Sequence, residues 1–316
     1  MMRRRMVLMV MTVASLGLFA CQGYGFFDEL LKPQPKKEQP QSAEGQQESA
    51  PGLLDSLGGM LGAKQKELDL LKKGLGVVQA LQPIGEEEER ALGRAVAVEA
   101  FARFGGEYHN EPLTRYVNLV GHTVAEVSDR PELNFHFAIL NSEEQNAFAA
   151  PGGYIFVTIG LLKALTNEAE LAGVLAHEIA HVTKRHMLQT IQRGALLESV
   201  SELTLSAMNK DPQLFSNLIN EMTDILFTKG LDKTFEYEAD AVGVDYAYRA
   251  GYNPQGLRDY LATLQRQQGR VQSRFFTTHP PISIRIQKMT EVLAQFSDGQ
   301  ELPFLSQRFK EAMRSV

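Results

Sequence analysis

The chain has 316 residues, of which 44% are apolar and 22% are charged, a balance typical of a globular protein with a substantial buried core. Its formal charge of −6 argues against a protein that coats nucleic acid. The single cysteine excludes a disulfide framework and a metal cluster held by thiolates. A metal site in this chain would therefore be built from histidine and carboxylate side chains.

The beginning of the chain has the pattern of an export signal. Arginines at positions 3–5 precede an uncharged run over residues 6–20, which is shorter than the roughly 20 residues that a membrane-spanning helix needs. Directly after this run comes Cys21, in a sequence that resembles a bacterial lipoprotein signal. We expect residues 1–20 to be a lipoprotein signal peptide and the lipidated Cys21 to hold the protein on a membrane, with Gln22 favouring the outer membrane. An ordinary signal peptide or an uncleaved anchor is the alternative.

Two further segments precede the main domain. Residues 21–52 are predicted to be a disordered tether, because residues 33–51 are rich in Gln, Glu, Lys, Ser and Pro and nearly lack large apolar side chains. Residues 53–82 have the leucine and valine spacing of an amphipathic helical segment. We expect this segment to pack on the main domain, and contact with a membrane surface is the alternative. Residues 83–316 are predicted to form one continuous domain.

The main domain is predicted to have an α+β fold that is mostly helical. Apolar spacing predicts helices over residues 86–104 and 112–127, and alternation over residues 133–139 predicts a strand. Residues 151–158 predict a turn followed by a second strand. Beyond Asn167 the pattern is helical almost throughout. We therefore expect one small antiparallel sheet beside a set of helices.

A pair of histidines four residues apart lies in an otherwise apolar helical stretch. His177 and His181 would lie about 40° apart around the helix and one turn along it, so both imidazoles can reach one ion. Glu178 is placed to contact a water on that ion without binding the ion itself. Asn167 is expected to cap this helix, with Glu170 completing a capping box. The alternative is that both histidines are ordinary surface or core residues that bind no metal, which the apolar surroundings disfavour.

A catalytic zinc site needs a third protein ligand besides two histidines. The best downstream donors lie in the helical stretch over residues 235–240. Glu236 and Asp240 share a helix face there, whereas Glu238 lies about 200° from Glu236 and is expected to face away. We take Glu236 as the third ligand and Asp240 as the carboxylate that orients a ligand histidine. Spacing alone does not decide between these carboxylates.

Together these motifs resemble metallopeptidase family forty-eight, which includes HtpX and the CAAX prenyl proteases. The likeness lies in residues 146–157, 177–181, 236–240 and 278–280, and it extends from about residue 86 to residue 289. It points to the soluble periplasmic branch of BepA-like and LoiP-like peptidases, because only the signal could span a membrane. The resemblance implies a gluzincin-like zinc metallopeptidase domain.

The resemblance also implies roles for individual residues. One zinc ion would be held by His177, His181 and Glu236. Glu178 would be the catalytic acid and base. His279 is the candidate partner for the oxyanion, supported by Arg285. A histidine at this position in relatives is proposed either to stabilise the transition state or to occupy the open zinc position as an off switch, and both remain open. His186 fits the family pattern but is expected to point elsewhere and to be structural.

A protease must also hold its substrate. We expect an edge strand that pairs with an extended peptide, formed with its preceding turn by Gly152, Gly153, Tyr154, Ile155 and Phe156. An interior strand is the alternative. Residues 194–229 are too apolar for a plain loop and are expected to form helices over the cleft that act as a lid.

These features together predict a membrane-tethered zinc endopeptidase that faces the periplasm. Its substrates would be extended or unfolded polypeptides, namely misfolded or stalled proteins of the bacterial envelope. One alternative is a chaperone-like lipoprotein that binds such proteins and keeps the metal for structure or regulation. Another is a metal hydrolase with non-peptide substrates, which fits the same ligands.

Overall fold

The computed structural model describes residues 84–198, 211–271, 273 and 276–316. The predicted signal peptide (1–20), tether (21–52) and amphipathic segment (53–82) lie outside the described residues. None of the helices in the described part of the chain is both long and apolar enough to cross a membrane.

The described residues form a mostly helical α+β domain, as predicted, with one strand at residues 147–150 that the sequence pattern did not predict. The elements are α1 (Glu86–Arg103), α2 (Glu111–Ala125), β1 (His136–Leu140), β2 (Ala147–Ala150), β3 (Tyr154–Thr158), α3 (Ile159–Ala164), α4 (Glu168–Thr183), α5 (His186–Glu198), α6 (Pro212–Asp224), α7 (Lys233–Arg249), α8 (Gly256–Arg266), α9 (Ile282–Leu293) and α10 (Ser306–Ala312). The predicted fold class is confirmed.

The sheet of the described residues has three strands in the order β1, β3, β2. β3 runs parallel to β1, with Tyr154 opposite His136, and antiparallel to β2, with Val157 opposite Ala147. The sheet is therefore mixed, where the sequence predicted an antiparallel one. The reason is that the tight turn Pro151–Gly153 reverses the chain after β2 and inserts β3 between the two earlier strands. β3 then runs in the direction of β1.

Both faces of the sheet are buried, because alternate residues of each strand enter different hydrophobic clusters. Ile155 and Val157 point into the cluster that contains the apolar side chains of α4. Tyr154 and Phe156 point into a second cluster, which is formed with α1, α5 and α6. The sheet thus separates two cores and lies directly against α4.

Helix α4 is buried along its whole length and packs against α2, α7, α8 and β2. The side chain of Asn167 caps it by accepting a hydrogen bond from the backbone of Glu170 at 2.9 Å, as predicted. The Glu170 carboxylate accepts in turn from the backbone N–H of Thr166, one residue before the cap. This double cap fixes where α4 begins and hence where its histidines lie.

The first residue of α4 is anchored by a buried carboxylate. Glu168 accepts hydrogen bonds from the hydroxyls of Tyr116 at 2.7 Å and Tyr252 at 2.9 Å. It also accepts from the guanidinium of Arg308, with Nε at 2.5 Å. Burial would raise the pKa of Glu168, but the bonds from Arg308 and the two tyrosines hold it below its ordinary value. Glu168 thereby joins α2, α4 and α10.

Candidate metal centre

Two histidines from α4 and one glutamate from α7 converge at a single point. Nε2 of His177 lies 3.1 Å from Nε2 of His181 and 3.7 Å from Oε2 of Glu236. Nε2 of His181 lies 3.6 Å from Oε1 of Glu236, and all three side chains are buried. Ligand atoms about 2.0–2.2 Å from a tetrahedral zinc ion lie roughly 3.3–3.6 Å apart, so these atoms are placed to hold one ion. The structure brings together the three residues that the sequence predicts as ligands.

The chemical state of these side chains suits a divalent cation. Oε2 of Glu236 is buried and accepts no hydrogen bond from the described residues. Burial raises the pKa of Glu236 well above its ordinary value and lowers the pKa of His181 well below its own. A neutral imidazole keeps a lone pair for a metal, and a cation offsets the cost of burying a carboxylate charge. Two imidazoles and one carboxylate form a donor set that zinc accepts at catalytic sites.

Glu178 follows His177 on α4 and lines the same cavity. Its Oε1 atom is buried and has no hydrogen-bond partner among the residues that the structure describes. Burial raises the pKa of Glu178 to about 8, against the opposing effect of the Arg285 guanidinium. Glu178 therefore stands beside the ion position as an ionisable group outside the ligand set.

Asp240 holds the outer ring nitrogen of one candidate ligand. Its Oδ1 lies 3.1 Å from Nδ1 of His177, which is the orienting contact predicted from the sequence. Arg285 on α9 is fully buried and donates to both oxygens of Asp240, at 2.9 Å from Nε and 2.6 Å from Nη2. Burial would raise the pKa of Asp240, but Arg285 lowers it to about 2. Arg285 was expected to support His279, and these hydrogen bonds instead direct its guanidinium to Asp240.

His279 lies between α8 and α9 at the rim of the ion position. Its Nε2 is 3.5 Å from Oε2 of Glu236, and its ring centre is 6.1 Å from that of His177. Burial, and next the Arg285 guanidinium, lower its pKa well below the ordinary value, which favours the neutral ring. At this distance His279 can reach either the ion itself or an oxygen bound beside it, and both of the predicted roles fit its place.

Two residues that the sequence set aside meet at the far side of His181. His186 was expected to point elsewhere, but its Nδ1 lies 2.9 Å from Nδ1 of His181. Its Nε2 lies 3.4 Å from Oε2 of Glu238, which faces away from the ion position as predicted. The prediction for His186 assumed that the helix continues past His181. It is wrong because α4 ends at Thr183 and Arg185 has a left-handed φ of 57°. The chain turns there and brings His186 back to the site.

The strand beside the ion position is β2 and not β3. Asn146 and the first residues of β2 line the cavity together with Glu178 and His181. β3 is paired on both sides and fully buried, so the prediction of an edge strand there is wrong. The correction applies to Gly152, Gly153, Tyr154, Ile155 and Phe156. The run of apolar residues in β3 is typical of a strand buried on both faces, and that signal was available in the sequence.

The structure describes only part of residues 194–229, the segment predicted to form a lid over the cleft. Residues 199–210 lie outside the described residues, whereas α6 continues into the π-helical turn Ile225–Lys229. Residues 225–231, the cover segment, line the cavity through Ile225, Leu226 and Leu231. Gly230 has a φ of 78° and packs so tightly that a Cβ there would lie 1.9 Å from the Thr278 carbonyl oxygen. The cavity of about 30 Å³ is partly open to solvent and has room for about two water molecules beside the ion position.

Comparison with known proteins adds independent findings. A sequence model described as peptidase family M48 matches residues 112–293, more than half of the chain. The beta-barrel assembly-enhancing protease of Escherichia coli (strain K12) is 35% identical over 185 residues, covering 54% of this chain and 37% of that protein. The mitochondrial metalloendopeptidase OMA1 of Schizosaccharomyces pombe is 28% identical over 213 residues, covering 66% of this chain and 61% of that protein. The chain thus covers less than two thirds of the length of these relatives.

Proposed function

This chain belongs to peptidase family M48, and from that premise we propose that it is a zinc-dependent endopeptidase of the bacterial cell envelope. The observation that carries the proposal is the meeting of two imidazoles and a carboxylate at one buried point, with Glu178 beside them. The matched relatives are named as a protease and a metalloendopeptidase, in agreement with the activity expected from the sequence.

In this proposal the metal is held by His177, His181 and Glu236. When bound, zinc supplies a Lewis acid that activates a water molecule at neutral pH. The protein fixes the geometry, because α4 carries both histidines one turn apart and α7 carries the carboxylate. Asp240 and Arg285 hold the His177 ring in one orientation.

Glu178 acts as the general base and then as the general acid. The positive charge of a bound cation would counter the raised pKa of Glu178 and keep the side chain ionised. Its carboxylate then accepts a proton from the water whose oxygen attacks the peptide carbonyl carbon. The same proton passes to the nitrogen of the leaving amine as the carbon–nitrogen bond breaks. His279, at the rim of the site, donates a hydrogen bond to the carbonyl oxygen while negative charge develops on it.

We place the substrate against β2. This edge strand borders the cavity, so an extended peptide can add to the sheet there through backbone hydrogen bonds. Such binding depends little on the substrate side chains and suits unfolded polypeptides. Because residues 225–231 line the cavity beside this strand, they would move aside as a peptide enters.

We further propose that the protein is a lipoprotein that faces the periplasm from the outer membrane. The support is the signal-like run before Cys21 and the family likeness to a relative named for β-barrel assembly. Its substrates would then be misfolded or stalled envelope proteins. Cys21→Ala removes the side chain that would carry the lipid and should release the protein from the membrane fraction. Unchanged membrane attachment would refute lipidation at this residue.

The test of the catalytic proposal is Glu178→Gln in the full chain. This variant keeps the shape of the side chain but cannot accept the proton. We expect one zinc per chain in both proteins, measured by elemental analysis, and cleavage of unfolded casein by the wild type alone. Cleavage by the variant at the wild-type rate would exclude Glu178 as the base. A wild-type protein that binds casein and zinc without cleaving would favour the chaperone-like alternative.

A further inference from the structure

Both imidazoles at the ion position are held through their outer ring nitrogen, but by different partners. Nδ1 of His177 lies 3.1 Å from the carboxylate of Asp240. Nδ1 of His181 lies 2.9 Å from Nδ1 of another imidazole, His186. Nε2 of His186 then lies 3.4 Å from Oε2 of Glu238. Both paths end on carboxylates of α7, the helix that also supplies the third ligand.

The contact between two ring nitrogens determines where each ring carries its proton. A hydrogen bond between Nδ1 of His181 and Nδ1 of His186 needs one hydrogen, so one nitrogen donates and the other accepts. Nε2 of His181 faces the ion position and needs its lone pair for the metal, so its proton is on Nδ1. His186 therefore accepts at Nδ1 and carries its own proton at Nε2. That nitrogen lies 3.4 Å from Oε2 of Glu238, close enough for charge attraction but not aligned for a hydrogen bond.

The surroundings of His186 hold it in this orientation. The residue is fully buried, and its ring stacks on Phe235 with centroids 4.5 Å apart and 17° between the planes. The guanidinium of Arg193 also lies over the Phe235 ring, 4.4 Å from its centre. The turn at Arg185 fixes the direction from which His186 approaches. A buried ring with two polar contacts and a stacked face has little freedom to rotate.

We infer that His186 is a positioning residue of the metal site, which holds the His181 ring with its Nε2 lone pair directed at the ion. This inference rests on the proposed function. The described residues that line the cavity include His181 but not His186 or Glu238, so both act through His181. The hydrogen bond from His186 fixes the tautomer of the His181 imidazole, and the nearby Glu238 carboxylate attracts the positive charge that builds up on His186.

The test measures zinc affinity of the full chain by competition with a chromophoric chelator. His186→Ala leaves the Nδ1 proton of His181 buried without an acceptor, and we expect affinity to fall about 10- to 100-fold. His186→Asn places an amide oxygen close to the position of the ring Nδ1, so affinity should return to within about threefold of wild type. His109→Ala changes an exposed histidine between α1 and α2 and should keep the wild-type affinity.

The electronic spectrum of the cobalt(II)-substituted protein gives a second readout. It reports the geometry around the ion, so it should change in His186→Ala and return in His186→Asn. If His186 only filled space, the alanine variant would unfold more easily but would keep the zinc affinity and the cobalt spectrum of the wild type.

If His186→Ala does not fold, Glu238→Gln tests the positioning role instead. Glu238 is half exposed, so its replacement leaves the core intact. We expect zinc binding that is about three- to tenfold weaker. Zinc affinity within about twofold of wild type, in His186→Ala or otherwise in Glu238→Gln, overturns the inference. A wild-type chain that binds no zinc would refute the proposed metal site instead. If the wild-type chain binds zinc and cleaves peptides, and the His186 and Glu238 variants bind zinc equally well, only the positioning role is refuted.

Discussion

Gly243 on α7 lies directly against the backbone of His177 on α4. A Cβ atom at Gly243 would stand 3.0 Å from the backbone nitrogen of His177 and 3.1 Å from its Cα. Because the two helices touch backbone to backbone at this crossing, α7 carries Glu236 and Asp240 within reach of the imidazoles. A glycine at one helix crossing thus sets the distances within the proposed metal site.

Gly243→Ala should weaken zinc binding. The added methyl group meets backbone atoms, so α4 and α7 must separate by a few tenths of an ångström. We expect about tenfold lower zinc affinity by chelator competition, although alanine favours the helix by about 1 kcal/mol. Gly194→Ala on α5 is the matched control, because a Cβ there meets nothing within 4 Å. Unchanged zinc affinity in Gly243→Ala would show that the crossing does not position the ligands.

His279→Ala distinguishes the two roles that its position allows. If His279 stabilises the oxyanion, its loss should lower kcat for a short fluorogenic peptide about 10²- to 10³-fold while zinc stays bound. Zinc content is measured on the same samples. If His279 instead blocks the open coordination place, the variant should cleave faster than the wild type, and that result would contradict the catalytic role.

Leu226→Ala tests whether the cover segment controls access. The side chain of Leu226 lines the cavity, so its removal should ease the opening of residues 225–231. We expect kcat/KM for an unfolded protein to change at least about threefold more than kcat/KM for a short peptide. Leu119→Ala, at a residue that is 62% exposed on α2, is the control. Equal changes for both substrates would count against a lid.

Glu168→Gln should destabilise the fold in a pH-dependent way. The amide cannot accept from Tyr116, Tyr252 and Arg308 together, and the free energy of unfolding should fall by about 2 kcal/mol near neutral pH, since the Arg308 end is partly exposed. The folded-state pKa of Glu168 lies below its ordinary 4.5. Its stabilising effect is therefore complete above that pH and is lost as the pH falls through the folded-state value.

Urea unfolding of both proteins across a pH series measures this difference. The gap between wild type and Glu168→Gln should be constant from about pH 7 to about pH 5 and should narrow below about pH 4. A gap that widens on acidification would contradict the assigned charge state of Glu168.

Local signals in the sequence predicted much of this structure. Helix boundaries follow from apolar spacing and capping, and the cap at Asn167 is an example that depends on neighbouring residues alone. The pairing of His177 with His181 needs only a helical backbone. The choice of Glu236 was different, because it depends on how α7 crosses α4 at Gly243, and only the family likeness selected it.

Two features did not follow from the spacing of apolar residues. The uninterrupted apolar run of β3 was a local sign of a strand buried on both faces, but its insertion between β1 and β2 depends on pairing between distant strands. The contact of His186 with His181 follows from a left-handed turn at Arg185. Arginine rarely adopts this conformation, so the sequence does not predict the turn. The first is a tertiary effect, and the second is a local break in the helix.

Anomalous diffraction at the zinc absorption edge, from crystals grown without chelator, tests the metal assignment most directly. We expect one strong peak about 2.0–2.2 Å from Nε2 of His177, Nε2 of His181 and a carboxylate oxygen of Glu236. A peak at other residues, or no peak between α4 and α7 in protein that cleaves peptides, would contradict it.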